Sequence, residues 1–153
     1  MELEFTFEQL TPELIANILN SAYISTEVVT YEEGTEDEYK RAMAKLDNRH
    51  FQIFPGSFSA LAFRSYVTYG KEYDEDRLRK TANYMDLFPI DTTYCERNDD
   101  GSHLMLFHYY HMIPEDETIS AAYLVKLTRS FVKLMVEHMN DWEAIEEAAH
   151  QST

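Results

Sequence analysis

The stretch Asp91–Ile113, DTTYCERNDDGSHLMLFHYYHMI, decides the fold. Two strand-like runs, Asp91–Arg97 and Ser102–Ile113, flank Asn98-Asp99-Asp100-Gly101. An amide first and a glycine last predict a type I turn closing on a left-handed glycine, with Asn98 facing Ser102. From that register Glu96 opposes Leu104 and Tyr94 opposes Leu106. One face then carries Tyr94, Leu104, Leu106, His108 and Tyr110, and the other Cys95, Met105, Phe107 and Tyr109. Both faces of the later strand are apolar, so each needs a cover. Helices cover one; the other meets a helix, a second subunit or a partner.

Working outward, Asp74 predicts a helix N-cap, with Leu78, Ala82 and Met85 on one stripe and Phe88-Pro89 as the stop. After the hairpin, Pro114–Glu117 leads into a closing helix capped by Thr118 or Ser120. Its apolar face runs Leu124, Leu127, Phe131, Leu134, Met135 and His138. Helix propensity stays high through Asp141–His150, so the helix is expected to run on past Trp142, with 141–153 as its end or tail. Upstream, His50–Phe54 and Ala60–Gly70 read as strands around a Pro55-Gly56-Ser57 turn. Ser25–Tyr31, rich in Val, Thr and Tyr, reads as the first main strand. Thr11-Pro12 opens a helix whose stripe is Leu14, Ile15, Ile18, Leu19 and Ala22. Glu2–Glu8 alternates Leu3, Phe5 and Phe7, as a short edge strand or packed arm does.

Between the first two main strands lies an acidic insertion, 32–48. Thr35-Glu36-Asp37-Glu38 has the form of a capping box, which predicts a short amphipathic helix over 36–46. The predicted order is α-β-β-β-α-β-β-α. Strands in consecutive runs favour an α+β domain, an antiparallel sheet of about five strands with helices mainly on one face.

The 153 residues suit a single domain. The formal net charge of −15 argues against nucleic acid and against an anionic membrane surface as partners, and suits basic or amphipathic proteins. The single cysteine, Cys95, excludes an internal disulfide and reads as structural. The N-terminus lacks the basic start and apolar core of a signal peptide, and no run is long enough to span a bilayer, so a cytoplasmic location is expected.

The pattern offers no reactive constellation. His108 and His111 fall three apart in a strand, on opposite faces, and His103 and His111 share a face but lie too far apart for one metal. The acids of 32–38 match no calcium loop, lacking the central glycine. Neither a nucleophile elbow nor a phosphate-binding glycine loop is present. Neither a metal nor a cofactor is expected. The 11 tyrosines and 9 phenylalanines fit both strand packing and interfaces.

Leu78-Arg79-Lys80-Thr81-Ala82-Asn83-Tyr84-Met85, the Asn98–Gly101 turn between two strands, and Pro114 through Thr118-Ile119-Ser120 together resemble the YbjN family of bacterial sensory transduction regulators. The resemblance covers roughly residues 11–140. That family is similar in fold to type III secretion chaperones, which are small, acidic, usually dimeric α+β proteins that hold partner polypeptides. The resemblance implies binding without catalysis and carries no active site onto this chain. The leading expectation is a non-catalytic protein-interaction module, chaperone-like or regulatory in signalling or stress response, acting as a homodimer. Met105, Phe107 and Tyr109 are its candidate partner-binding residues if helices take the opposite face. The alternatives are a small-molecule sensor, a small enzyme using carboxylates and His108, and a structural subunit of a larger complex.

Overall fold

A computed structural model describes residues 3–86, 89–140, 144 and 147. Among these residues the chain forms β1 (Glu4–Phe5), a 3-10 turn (Phe7–Gln9), α1 (Pro12–Ser21), β2 (Ser25–Tyr31), β3 (Tyr39–Leu46), β4 (Arg49–Pro55) and β5 (Ala60–Tyr69). Then follow α2 (Glu75–Met85), β6 (Asp91–Arg97), β7 (His103–Met112), β8 (Ile119–Ser120) and α3 (Ala121–Asn140). The fold is α+β. Its main sheet is antiparallel with strand order β2-β3-β4-β5-β7-β6, and β1 pairs separately with β8. No helix among the described residues is long and apolar enough to cross a membrane. The expected continuation of α3 past Trp142 lies outside the described residues, save Ala144 and Glu147, which are helical.

The chain divides into two compact units. One holds the described residues up to Phe63 with Tyr110–Val132; the other holds Arg64–Tyr109 with those from Lys133 on. In the first, Thr11 caps α1 by accepting a hydrogen bond from the Leu14 amide at 3.2 Å, with Pro12 in the first turn. Ile15, Ala16 and Leu19 are the buried stripe of α1. The helix packs against β2, β3 and β4, where fully buried Ala42 and Ala44 leave room for it. On the same sheet face Ala42 opposes Ile53 and Ala44 opposes Phe51. Phe51 and Phe63 each meet Phe131 of α3 with ring centroids 5.7 Å apart.

The helix expected over 36–46 is the strand β3, so the sheet has one strand more than the sequence reading allowed. Ala, Met, Lys, Arg and Leu favour a helix locally, but Ala42 and Ala44 alternate with Arg41, Met43 and Lys45, and pairing on both sides decides the outcome. Thr35 caps no helix. Its hydroxyl donates to the Glu32 carbonyl at 2.7 Å and accepts from the Asp37 amide, which tightens the turn into β3. Asp47 and Asn48 follow, both at positive φ, as a two-residue hairpin of the primed type demands.

In the second unit the β6–β7 loop is as expected. Asn98 N–H donates to the Ser102 carbonyl at 2.7 Å, and Gly101 sits at φ +89°. A Cβ there would come within 3.2 Å of Lys71 Cβ, so glycine answers both conformation and space. Glu96 opposes Leu104 as the turn arithmetic requires. One step further the register shifts: Cys95 is bulged out, and Tyr94 faces Met105 in place of Leu106. The bulge moves Tyr94 to the Met105–Phe107 face and leaves Cys95 exposed. Helix α2 packs against β6, with Leu78, Thr81, Ala82 and Met85 buried. The Thr92 hydroxyl donates to the Met85 carbonyl, and the Arg79 guanidinium lies 4.3 Å from the centre of the Tyr94 ring.

Candidate functional site

In the first unit, β1 is pinned to the start of α3. Glu4 pairs with Ser120 and Phe5 with Ile119, and the Ala121 amide donates to the Leu3 carbonyl at 2.9 Å. The Ser120 hydroxyl caps α3 by accepting from the Tyr123 amide at 3.0 Å. This arm, α1 and the first turns of α3 enclose an open groove of about 340 Å³. Leu3 and Phe5 form one wall, Leu14, Ile18 and Ala22 come from α1, and Ala121, Ala122 and Val125 from α3. Asn17 and Ser21 supply the polar atoms. Leu3 is 66% exposed, and Leu14, Ile18 and Val125 are half-buried. No lining side chain ionises. Ser21 Oγ donates to the Asn17 carbonyl at 2.8 Å, back-bonded within its own helix. The groove can therefore hold apolar groups by desolvation and has no acid, base or activated nucleophile of its own.

The groove ends at the C-terminus of α1, which closes as a Schellman motif. Ile24 N–H donates to the Leu19 carbonyl at 2.9 Å and Tyr23 N–H to the Asn20 carbonyl at 3.0 Å, and Ile24 and Leu19 are both buried. The left-handed position of that motif usually takes glycine, yet Tyr23 occupies it at φ +63° with its side chain 97% exposed. Arg129 of α3 donates to the Ala22 carbonyl at 3.3 Å, placing a cation at the negative end of the helix.

A polar cluster in the second unit is structural. His103 is fully buried, with Nδ1 2.9 Å from the Tyr94 hydroxyl and Nε2 2.9 Å from the Tyr73 carbonyl. A carbonyl only accepts, so Nε2 carries the proton and Nδ1 accepts from Tyr94. Burial, with Glu75 adding, raises the Tyr94 hydroxyl above its ordinary ionisation range. The Arg79 hydrogen bond holds the Glu75 carboxyl below its own. His103 and the Tyr94 hydroxyl are thus paired inside the core, while Glu75 and Arg79 form an ion pair at the surface beside them. His108 is likewise buried, its Nε2 2.6 Å from Arg64 Nε. Among the described residues no group of three or more His, Cys, Asp or Glu is placed to hold a metal ion.

Met105 and Phe107, expected on a contact surface, are 0% exposed, and Tyr109 is half-buried. Their face is the one that α2 and Tyr94 cover, because the Cys95 bulge brought Tyr94 to it. The surface expected there is therefore covered by a helix on its own side. The groove residues were missed singly but signalled together. The α1 stripe contains more apolar positions than one buried face uses, since Ile15 and Leu19 are buried while Leu14 and Ile18 are only half so. No protein-family model, curated protein or solved structure matches the chain.

Proposed function

We propose that the chain is a non-catalytic protein-interaction module of the cytoplasm. In this reading it acts as a homodimer and holds an apolar segment of a partner polypeptide in the groove between β1, α1 and α3. The observation that carries the reading is an open apolar groove whose lining contains no ionisable side chain. Small side chains at Ser21, Ala22, Ala121 and Ala122 leave space for a partner backbone, as helix-in-groove recognition requires. With a net charge of −15, a segment flanked by Lys or Arg is favoured over an acidic one. This is also the class of role that the resemblance to the YbjN regulators implies, carried by Leu78–Met85, Asn98–Gly101 and Pro114–Ser120. An exposed tyrosine held in a disfavoured conformation beside the groove agrees with a contact role for Tyr23.

A pull-down from host lysate tests this, using the wild type beside Ile18→Lys and Val125→Lys. Both residues are half-buried at the groove, and circular dichroism spectra matching the wild type check that the variants keep the fold. The expected result is a stoichiometric partner lost by both. Equal capture by all three proteins would rule the groove out. A volume of about 340 Å³ also admits a small apolar ligand, which favours the sensor reading second. A thermal-shift screen in which small molecules raise the wild-type Tm, and leave Ile18→Lys unmoved, would select it.

A further inference from the structure

Residues of an antiparallel strand direct both backbone polar groups alternately toward one neighbour and the other. At the outer edge of the main sheet, Thr26 of β2 gives both of its groups to one side chain. Its carbonyl accepts from Asn20 Nδ2 at 2.9 Å, and its amide donates to Asn20 Oδ1 at 2.9 Å. Thr26 therefore faces away from β3, as do Val28 and Thr30, while Glu27, Val29 and Tyr31 bond to β3. Asn20 covers the first outward position. Among the described residues, Val28 and Thr30 make no hydrogen bond on that side. β2 pairs with β3 over seven residues without a bulge and contains no Pro or Lys; apart from the single charge of Glu27 and the Asn20 cap at Thr26, nothing on the strand blunts this edge.

We infer that this edge pairs with the same edge of a second copy of the chain, antiparallel about a twofold axis at Val29. This deepens the homodimer part of the reading above and is independent of the groove. In that register Val28 opposes Thr30 of the second copy and Thr30 opposes Val28, each pair exchanging both of its bonds. The other registers fail for stated reasons. An axis at Glu27 sets the two Glu27 carboxylates against each other and needs Thr26, which Asn20 already holds. An axis at Val28 also needs Thr26. An axis at Thr30 opposes Val28 to Glu32, whose φ of +54° takes it out of the strand. The Val29 axis alone uses free groups only, and it sets Glu27 against Tyr31.

Charge points to the same edge. In a chain of net charge −15, β2 carries one acid, Glu27, while β3 beside it carries Lys40, Arg41 and Lys45. The pairing also runs the acidic turn at Glu32 and Glu33 of each copy toward the partner's Ser25, whose register neighbour is Lys45.

Sedimentation velocity of the full chain at rising concentration tests the pairing. The wild type is expected to shift from monomer to dimer within the micromolar range. Val28→Pro removes an outward amide that the β2–β3 ladder does not use, so it is expected to stay monomeric with an unchanged circular dichroism spectrum. A second test holds even if that variant misfolds. On a Cys95→Ser background, Val29→Cys places the two sulfurs at the axis. Directly opposed residues of a non-hydrogen-bonded pair have Cα atoms about 4.5 Å apart, within disulfide reach. Oxidation should give a covalent dimer for Val29→Cys and little for Thr30→Cys. A wild type that remains monomeric overturns both the edge pairing and the dimer. A dimer that does not cross-link through position 29 overturns the edge alone and leaves the groove reading standing.

Discussion

Replacing Tyr23 with glycine should make the protein more stable and, on the groove reading, less able to hold its partner. Tyr23 sits at φ +63° in the turn that ends α1. A side chain in the left-handed region costs roughly 1–2 kcal/mol, and glycine gives back about 0.4–1 kcal/mol through its freer unfolded chain. The net gain is on the order of 0.5–1 kcal/mol, because the ring, 97% exposed, contributes almost no burial to offset it. For a chain of this length that corresponds to a Tm rise of about 1–4 °C. The Schellman bonds from Ile24 and Tyr23 are backbone bonds and survive the change. Tyr23→Ala is the control, since it keeps the Cβ and loses the ring, and its Tm should stay within about 1 °C of wild type. Calorimetry on the three proteins reads the strain, and the pull-down reads the contact. Both variants should capture less partner, yet only the glycine variant should melt higher. A glycine variant no more stable than the alanine variant would refute the strain argument.

Two further outcomes follow from burial. Phe107→Ala should lower stability by about 3–5 kcal/mol, because a fully buried ring leaves a cavity in the face that α2 covers. Half-buried Tyr109→Ala should cost clearly less, and urea midpoints at unchanged slope check both; equal midpoints would return Phe107 to the surface. Burial holds the His111 imidazole below its ordinary value of 6.5, beside the Tyr123 ring at 5.5 Å. The folded state then binds its proton less readily than the unfolded chain does. Stability is intact above 6.5, falls as pH drops through that value, and levels off below the folded pKa. Between mildly alkaline and mildly acidic buffer the wild type should lose more Tm than His111→Gln; parallel losses would contradict this.

The sequence made the Asn98–Gly101 turn legible because its geometry is local: glycine must take the left-handed position, and Asn98 and Ser102 must then meet. The helix starts at Thr11-Pro12 and Asp74 were legible for the same reason, since a cap is a bond between near neighbours. Beyond the turn, the register depended on the Cys95 bulge. No residue type announces a bulge there, and every face assignment past it inverts. That slip moved Tyr94 and not the β7 residues; the contact expectation for Met105 and Phe107 failed because it supposed helices on the face opposite theirs, whereas α2 and Tyr94 cover their own.

β3 failed differently. Its composition is that of a helix, and strand pairing on both sides overrode the local preference. Its signal lay downstream in Asp47-Asn48: a primed two-residue turn before a strand needs a strand ahead of it, so β4 together with that turn implied β3. The groove and the free edge are legible by the same kind of subtraction. Apolar positions on α1 exceed what the core takes up, and Val28 and Thr30 on β2 carry outward backbone groups that β3 does not take up. What a fold leaves unused in its own packing is where its partners have to be sought, and here the two remainders differ in kind. One is apolar side-chain surface, suited to a foreign segment of variable sequence. The other is a short, symmetric run of backbone groups, which a second copy of the same chain satisfies in one register.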